Sequence, residues 1–198
     1  MGASDTLRRL PWRLRYAWGA DAMSWLRKTT IRATHRHCEV SFGDDVYVGP
    51  GFYLYLPHFG SLIVGEGVSF RRGFVCEISG HGRVEIGAHT VFTVNAMVQC
   101  TTSVTIGEHC TFAQDVLIVD GSHRFRDHTK LMSEQGFDFR PITIGRGATV
   151  MAKSTVIADI GEGAFVGANS VVTRPVPAFS LAVGTPARVV ESFGPPGA

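Results

Sequence analysis

The sequence predicts an all-β fold of stacked triangular coils, and both its composition and its periodicity support this prediction. The 198 residues include 22 Val and 10 Ile against only 10 Leu, a balance that favours strands over helices. Glycine accounts for 23 residues, well above its share of roughly 7% in an average soluble protein. From Phe42 onward an aliphatic or aromatic residue, often followed by Gly, recurs every six residues in groups of three.

Each six-residue unit, or hexad, supplies one short strand and one turn, so that three hexads close one triangular coil. A single coil cannot bury its inner face, and the coils are therefore expected to stack. The intervals between the first four coil starts are 22, 22 and 20 residues, which leaves a short connector after each set of three hexads. The predicted coil starts are Phe42, Val64, Ile86, Ile106, Ile144 and Ile160.

The first and fifth positions of each hexad are predicted to point into the coil, and the fifth is small or β-branched. Two interruptions break the pattern. The hexad that begins at Val156 is two residues short, and residues 124–143 form an insertion longer than the roughly 12–15 residues beyond which loops are functional or disordered. The fifth-position residues are Thr90, Ala96, Thr102, Cys110, Val116, Ser122, Ala148, Ser154, Ala164 and Ser170.

The sequence divides into an N-terminal segment, residues 1–41, a β-helix domain, residues 42–190, and a C-terminal tail, residues 191–198. The N-terminal segment lacks hexads, is rich in Arg and holds all three tryptophans, Trp12, Trp18 and Trp25. We expect it to be helical, with a break at Pro11 and a stop at Gly19. Two interpretations are open: a cap over the open edge of the first coil, or contact of residues 1–36 with an anionic membrane surface.

Charge and cysteine content exclude several classes of protein. Lys and Arg number 19 against 17 Asp and Glu, which gives no strong field directed at nucleic acid. No run approaches the 18 or more apolar residues of a membrane span, and no signal segment is apparent, so we expect a cytoplasmic protein, with the inner membrane face as an alternative. The four cysteines have no CxxC pairing and are predicted to be small interior residues.

Among eight histidines, His123 is the strongest candidate for acid–base chemistry. It closes the last regular hexad before the insertion, where a rigid scaffold holds it and a loop can cover it. A neutral imidazole can accept a proton at neutral pH. Asp120, three residues earlier, is a candidate to orient the ring, although a solvated turn aspartate fits the sequence equally well.

Three motifs give the chain a family resemblance. They are the D-x-x-H of Asp120 to His123, the QG at Gln135 followed by PITIG, and VGANSVVTRPVP continuing into VGTPARVV. Together with the hexads they resemble the hexapeptide-repeat acyltransferases, which include galactoside, maltose, xenobiotic and serine acetyltransferases, and most of all the polysaccharide O-acetyltransferases. The resemblance implies a left-handed parallel β-helix and a homotrimer, with acyl-CoA bound between neighbouring subunits.

The same resemblance implies roles for single residues. A histidine at the position of His123 deprotonates the acceptor, which attacks the thioester directly, and Asn95 resembles a polar residue that assists the acceptor. Ala152 and Ala168 match positions whose backbone amides contact the pantetheine arm of CoA. Thr173 and Arg174 match a pair near the cofactor, and Arg188 matches a basic residue beside the CoA phosphates.

The predicted function is acetyl-CoA-dependent O-acyl transfer to a saccharide or similar hydroxyl acceptor, with no metal and no nucleic acid involved. Two alternatives belong to other classes. His123 and His128, completed by His89 or His81, have residue types that suit a three-histidine zinc site of the γ-carbonic-anhydrase kind. A trimeric scaffold without catalytic activity is the second alternative.

Overall fold

Three parallel β-sheets run along the molecule, one on each side of a triangular β-helix. This computed structural model describes residues 10–11 and 19–194, and the predictions made for Trp12 and Trp18 lie outside them. Consecutive strands of a coil belong to different sheets, and each strand of a coil pairs in parallel with the strand one coil away. The last described strand instead pairs antiparallel with the strand before it. The fold class predicted from the hexads is confirmed.

The strands are named in chain order and grouped by sheet. Sheet A contains β1 (Glu39–Phe42), β4 (Ser61–Val64), β7 (Arg83–Ile86), β10 (Ser103–Ile106) and β15 (Ile142–Ile144). Sheet B contains β2 (Tyr47–Val48), β5 (Ser69–Phe70), β8 (Val91–Phe92), β11 (Thr111–Phe112), β16 (Thr149–Val150), β18 (Phe165–Val166), β20 (Ser180–Gly184) and β21 (Ala187–Ser192). Sheet C contains β3 (Tyr53–Tyr55), β6 (Val75–Ile78), β9 (Met97–Cys100), β12 (Leu117–Val119), β17 (Thr155–Val156) and β19 (Val171–Val172).

Further elements of the described residues lie outside these coils. Helix α1 (Gly19–Thr34) precedes the first coil. Strands β13 (Gly121–His123) and β14 (Phe137–Phe139) form an antiparallel hairpin, and a short 3-10 helix, Met132–Glu134, lies in the loop between them.

Strand register confirms every predicted coil start. The five starts from residue 42 to residue 144 are aligned in sheet A, and isolated bridges continue the alignment through Ile160 to Val176. The last two intervals, 144 to 160 and 160 to 176, are 16 residues each. These coils are short because sheet A shrinks from a four-residue strand to one bridging residue. The hexad predicted to run from Val172 to Pro177 is therefore wrong, because Val176 starts a new coil.

The inward positions form the core. Phe70, Phe92 and Phe112 are fully buried and stack from coil to coil, with ring centroids 5.4 Å and 4.7 Å apart. Eight of the ten predicted fifth-position residues are buried. Thr102 is only half-buried, and the inward prediction for Ser122 is wrong, because the chain has left the coil at that residue.

The cysteines are free, as the sequence analysis predicts. Cys76, Cys100 and Cys110 are buried in the core, while Cys38 is half-buried. Burial, and secondly the Asp120 carboxylate, raises the pKa of the Cys100 thiol to about 12. At neutral pH Cys100 therefore remains a protonated thiol, which is not a nucleophile.

Helix α1 lies on the open edge of the first coil. In the coils, strand N–H groups donate to carbonyls of the following coil, so the strand carbonyls of the first coil lack a strand partner. Lys28 donates to the carbonyl of Val46 at 2.8 Å, and Arg27 donates to that of Val48 at 3.0 Å. The cationic side of α1 therefore faces the protein. Gly19 begins this helix, and the predicted stop there concerns the preceding residues 12–18, which lie outside the described residues.

The apolar side of α1 faces outward, where Met23, Trp25 and Leu26 are exposed. Within residues 10–11 and 19–194, no helix has the length and apolar character needed to cross a bilayer.

We predict that Ser24→Ala destabilises the protein by roughly 1–3 kcal/mol, because buried Ser24 serves two backbone groups at once. Its hydroxyl accepts from the N–H of Val48 at 2.8 Å and donates to the carbonyl of Val46 at 3.5 Å. Urea denaturation measures the change. Thr30→Ala is the control, because this exposed hydroxyl bonds only to Leu26 within the helix. Equal effects of both substitutions would contradict the edge-sealing role.

Candidate active site

The chain leaves the coils after β12 and returns to them at β15, and the hairpin of β13 and β14 forms the base of this inserted segment. His123 lies opposite Phe137 in the hairpin. The insertion predicted over residues 124–143 therefore begins earlier, at Gly121, and ends before Ile142, the first buried residue of β15. His123 stands on the hairpin and not on a coil.

Asp120 anchors the point where the hairpin leaves the coil. This residue is 4% exposed, and its carboxylate accepts hydrogen bonds from the N–H groups of Thr101 at 2.9 Å and Thr102 at 2.6 Å. The Thr102 hydroxyl donates to the same carboxylate at 2.8 Å. The Asp120 carbonyl accepts from the N–H of Arg140 at 2.7 Å, where the chain returns. Asp120 thus holds both the outgoing and the returning chain.

The imidazole of His123 is exposed and packs on Phe137, with ring centroids 4.2 Å apart and planes at 41°. No hydrogen bond joins this ring to another of the described residues. The prediction that Asp120 orients the ring directly is wrong, because its carboxylate is occupied by Thr101 and Thr102. What Asp120 fixes is the backbone at the base of the hairpin that carries His123.

Two cavities lie on either side of the hairpin. One, of about 270 Å³, is on the side of the N-terminal coils and is bordered by β6, β9 and His123. The other, of about 220 Å³, is on the side of the C-terminal coils and is bordered by Arg140 and Ile157. The wall they share is the base of the hairpin, namely Val119, Asp120, Gly121, Ser122 and Phe139.

A third, open cavity of about 510 Å³ is lined by the inserted loop and also borders His123. Two of its three basic residues are paired with acids: Arg124 with Asp138 at 2.6 Å and Lys130 with Asp127 at 3.3 Å, while Arg126 has no ion pair among the described residues. Hydrogen bonds from Thr129 hold the pKa of Asp127 below its usual value.

Gln135, singled out by the QG motif, ties the inserted loop together. Its side chain accepts from the N–H of Asp127 at 3.0 Å and donates to the Asp127 carbonyl at 2.9 Å. Gly136 follows with a φ of 75°, a left-handed conformation that favours glycine. The motif therefore shapes the loop that borders His123.

The structure brings some predicted cofactor residues together. Arg174 and Arg188 line one cavity of about 150 Å³. Ala152 and Ala168 lie at the same corner of successive coils, where the N–H of Asn169 donates to the Ala152 carbonyl at 2.9 Å. Thr173 follows β19 on the opposite corner of sheet C and is exposed.

Other candidates lie apart from His123 within one chain. Asn95 is at the corner between β8 and β9 and donates to the Asp115 carboxylate at 3.2 Å, so its assisting role stays a prediction. His89 stacks on His109 at 5.0 Å. Across residues 10–11 and 19–194, no group of three or more His, Cys, Asp or Glu side chains is arranged to hold a metal.

Sequence reasoning missed four residues of the N-terminal-side cavity: Glu77, Gln99, Phe137 and Phe139. Glu77 and Gln99 did carry a signal, because they are polar and stand 22 residues apart at the same position of successive hexads, where Gly is common. Phe137 and Phe139 alternate with Asp138, as expected of a strand.

Comparison with known proteins identifies the family. No protein-family model matches the chain. A protein of Escherichia coli named as the lipopolysaccharide biosynthesis O-acetyl transferase WbbJ is 31% identical over 153 residues, which cover 72% of this chain and 77% of that protein. A Mycobacterium tuberculosis protein named as an acetyltransferase is 29% identical over 151 residues, 74% of this chain, and the chain spans 50% of its length. The chain belongs to the hexapeptide-repeat acyltransferase family.

Solved structures share the fold. The N-acyltransferase AntD of Bacillus cereus, in complex with dTDP and 3-hydroxybutyryl-CoA, matches with a TM-score of 0.70 and 16% identity over 83% of this chain and 88% of that one. A hexapeptide-repeat acetyltransferase of Vibrio cholerae in complex with acetyl-CoA matches with a TM-score of 0.53 and 23% identity, covering 94% and 85% of the two chains.

We predict that Asp120→Asn lowers the free energy of unfolding by roughly 1–3 kcal/mol, because an amide N–H would face the N–H donors of Thr101 and Thr102. It should also shift the ring-proton NMR resonances of His123, since the hairpin loses its anchor. Asp44→Asn is the control, because that carboxylate is exposed at a corner of the first coil and forms no hydrogen bond or ion pair among the described residues. An unchanged His123 spectrum in Asp120→Asn would contradict the positioning role.

Proposed function

We propose that the protein transfers an acetyl group from acetyl-CoA to a hydroxyl of a saccharide, with His123 as the general base. The observation that carries this proposal is the placement of His123 on a hairpin that separates two cavities. Such a site can accept one substrate from each side, and the exposed imidazole borders the cavity on the N-terminal side. Membership of the acyltransferase family supports the same chemistry.

The proton balance is simple. The imidazole accepts the proton of the acceptor hydroxyl while the hydroxyl oxygen attacks the thioester carbonyl carbon. The C–S bond breaks, the imidazolium returns the proton to the sulfur, and the products are an ester and free CoA. His123 suits this exchange because an imidazole both accepts and donates a proton near neutral pH.

Acetyl-CoA is the acyl donor in this proposal, and the C-terminal coils hold it. Arg174 and Arg188 share a cavity, and two guanidinium groups together suit phosphate groups. Ala152 and Ala168 are small residues at one corner, which lets an extended pantetheine arm approach their backbone. Thr173 lies on the same stretch as Arg174 and is proposed to contact the donor as well.

A saccharide acceptor is supported by the names of similar proteins. WbbJ is named for lipopolysaccharide biosynthesis, and AntD has been solved with dTDP-4-amino-4,6-dideoxyglucose and CoA. We propose acylation of an oxygen rather than a nitrogen atom, because WbbJ is named as an O-acetyl transferase and its sequence matches 72% of this chain.

We further propose a homotrimer with donor sites at the seams. The residues proposed to hold acetyl-CoA lie on the surface of one chain. Exposed apolar side chains are also present on β18 and the β20–β21 hairpin. Phe165, Val189 and Val190 are among these. Asn95, distant from His123 in its own chain, is proposed to serve the site of a neighbouring copy.

Peripheral membrane contact is proposed through the apolar side of α1, while the cytoplasmic location stays a prediction. Arg27 and Lys28 already donate hydrogen bonds to carbonyls of the first coil, so Trp25 and Leu26 are the residues that would contact lipid.

The double substitution of Trp25→Ser and Leu26→Ser should abolish co-sedimentation with anionic liposomes. Thr29→Ser and Thr30→Ser together form the control, and equal sedimentation of wild type and the double variant removes the proposal.

We predict that His123→Ala slows CoA release from acetyl-CoA in the presence of acceptor by roughly 10²–10⁴-fold, the usual contribution of a general base. A thiol reagent measures the released CoA, and light scattering checks that assembly is unchanged. His128→Ala, an exposed loop histidine, is the control and should retain activity. Full turnover by His123→Ala would refute the base, and failure to bind CoA in calorimetry would favour the scaffold alternative.

A further inference from the structure

A column of outward side chains on sheet C changes character at the hairpin. Tyr55 pairs with Glu77, Glu77 with Gln99, and Gln99 with Val119, so these residues stand in line across four strands. Ile157 continues the column, because it follows Val156, the partner of Ile118. The members on the N-terminal side of the hairpin are polar, and those at the hairpin and beyond are apolar.

Glu77 and Gln99 form a joined polar pair in the N-terminal-side cavity. The Gln99 amide donates to Glu77 Oε2 at 2.8 Å, which leaves the other Glu77 oxygen and the Gln99 amide oxygen free to accept. Both residues are half-buried and border the cavity that His123 also borders. Among the described residues Glu77 forms no ion pair, so its negative charge is uncompensated in that cavity.

An aromatic wall stands in the same cavity. Phe137 and Phe139 have ring centroids 5.5 Å apart and planes at 13°, and their exposed fractions are 48% and 43%. Flat apolar faces combined with a few fixed polar acceptors are typical of small-molecule sites that orient a ligand. A pyranose ring has this complementary surface, with C–H groups on its faces and hydroxyl donors at its rim.

We propose that Glu77 and Gln99 determine acceptor specificity. In this assignment, which rests on the proposed function, they accept hydrogen bonds from hydroxyls of an uncharged sugar ring packed on Phe137 and Phe139. One further hydroxyl of that ring then faces His123. The Glu77 carboxylate excludes rings that carry a carboxylate or phosphate, because like charges at short range repel.

The basic residues of the inserted loop do not reverse this selectivity. Arg124 and Lys130 are paired with Asp138 and Asp127. Asp138 and Asp127 therefore offset these two cations, whereas Arg126 has no acidic partner among the described residues and lines the loop cavity rather than the cavity that holds Glu77. The apolar members of the column, Val119 and Ile157, lie toward the side of the hairpin where the acyl donor is proposed to bind.

The test uses two pyranosides of similar size, methyl α-D-glucopyranoside and its uronic acid counterpart, methyl α-D-glucopyranosiduronic acid. Titration by saturation-transfer NMR on the full chain gives both dissociation constants. Wild type should bind the neutral glucoside at least roughly tenfold more tightly than the anion. Glu77→Gln should weaken neutral binding roughly tenfold and remove most of the preference, since a charge-assisted hydrogen bond becomes a neutral one.

Glu66→Gln is the matched control, the same substitution in the same coil but at the corner between β4 and β5, away from sheet C, and should change neither constant. Gln99→Leu should also weaken neutral binding, and its thermal melt shows whether it folds. The proposal is overturned if wild type binds neither probe, or if Glu77→Gln keeps the wild-type preference. If Glu77→Gln keeps the wild-type sugar selectivity while His123→Ala loses CoA release, this inference is contradicted and the proposed function stands. Sugar selectivity without any CoA binding would instead sink the proposed function.

Discussion

Parallel pairing between successive coils is the constraint on which the rest of this structure depends. Because each strand pairs in register with its neighbour one coil away, equivalent residues stand about 4.7–4.9 Å apart along the sheet. The same register that stacks Phe70, Phe92 and Phe112 inside the coils aligns Glu77, Gln99 and Val119 outside. Core packing and surface chemistry are therefore set by one pattern of hydrogen bonds.

The hairpin carries the site without a core of its own. All three residues of β14 are exposed, and so is His123, so burial cannot hold this segment. Asp120 holds the segment instead, because its carboxylate accepts hydrogen bonds from Thr101 and Thr102 in the neighbouring coil. A reactive side chain needs such support, because a group displaced by an ångström loses much of its effect. Positioning by a buried carboxylate and exposure of the imidazole thus go together.

Much of the fold could be predicted from the sequence, because the hexad is a local signal that repeats. The coil starts are confirmed at each predicted residue, down to Ile160. The short final coils were harder to predict from the sequence, because the start of a new coil at Val176 depends on how few residues of these coils lie in sheet A. Orientation of α1 was also hidden: its basic side chains suggest a membrane, yet Arg27 and Lys28 face coil carbonyls that only the stacked structure leaves unpaired.

The candidate site divides in the same way. The sequence singled out His123 because a motif and an interrupted repeat coincide there, and its role as a base stays a prediction. The function of Asp120 was not, because its partners Thr101 and Thr102 lie far along the chain and approach only through coil register. Glu77, Gln99, Phe137 and Phe139 meet for the same reason, since strand order brings the hairpin beside two earlier coils. Long-range pairing creates the neighbourhoods that single motifs cannot show.

The most direct measurement of the central claim is a crystal structure of the protein with CoA. The account predicts the CoA sulfur on the Ile157 side of the hairpin, close to His123, with the Glu77–Gln99 cavity free of the cofactor. A sulfur located between Glu77 and Gln99, or far from any His123 in the assembly, would contradict it.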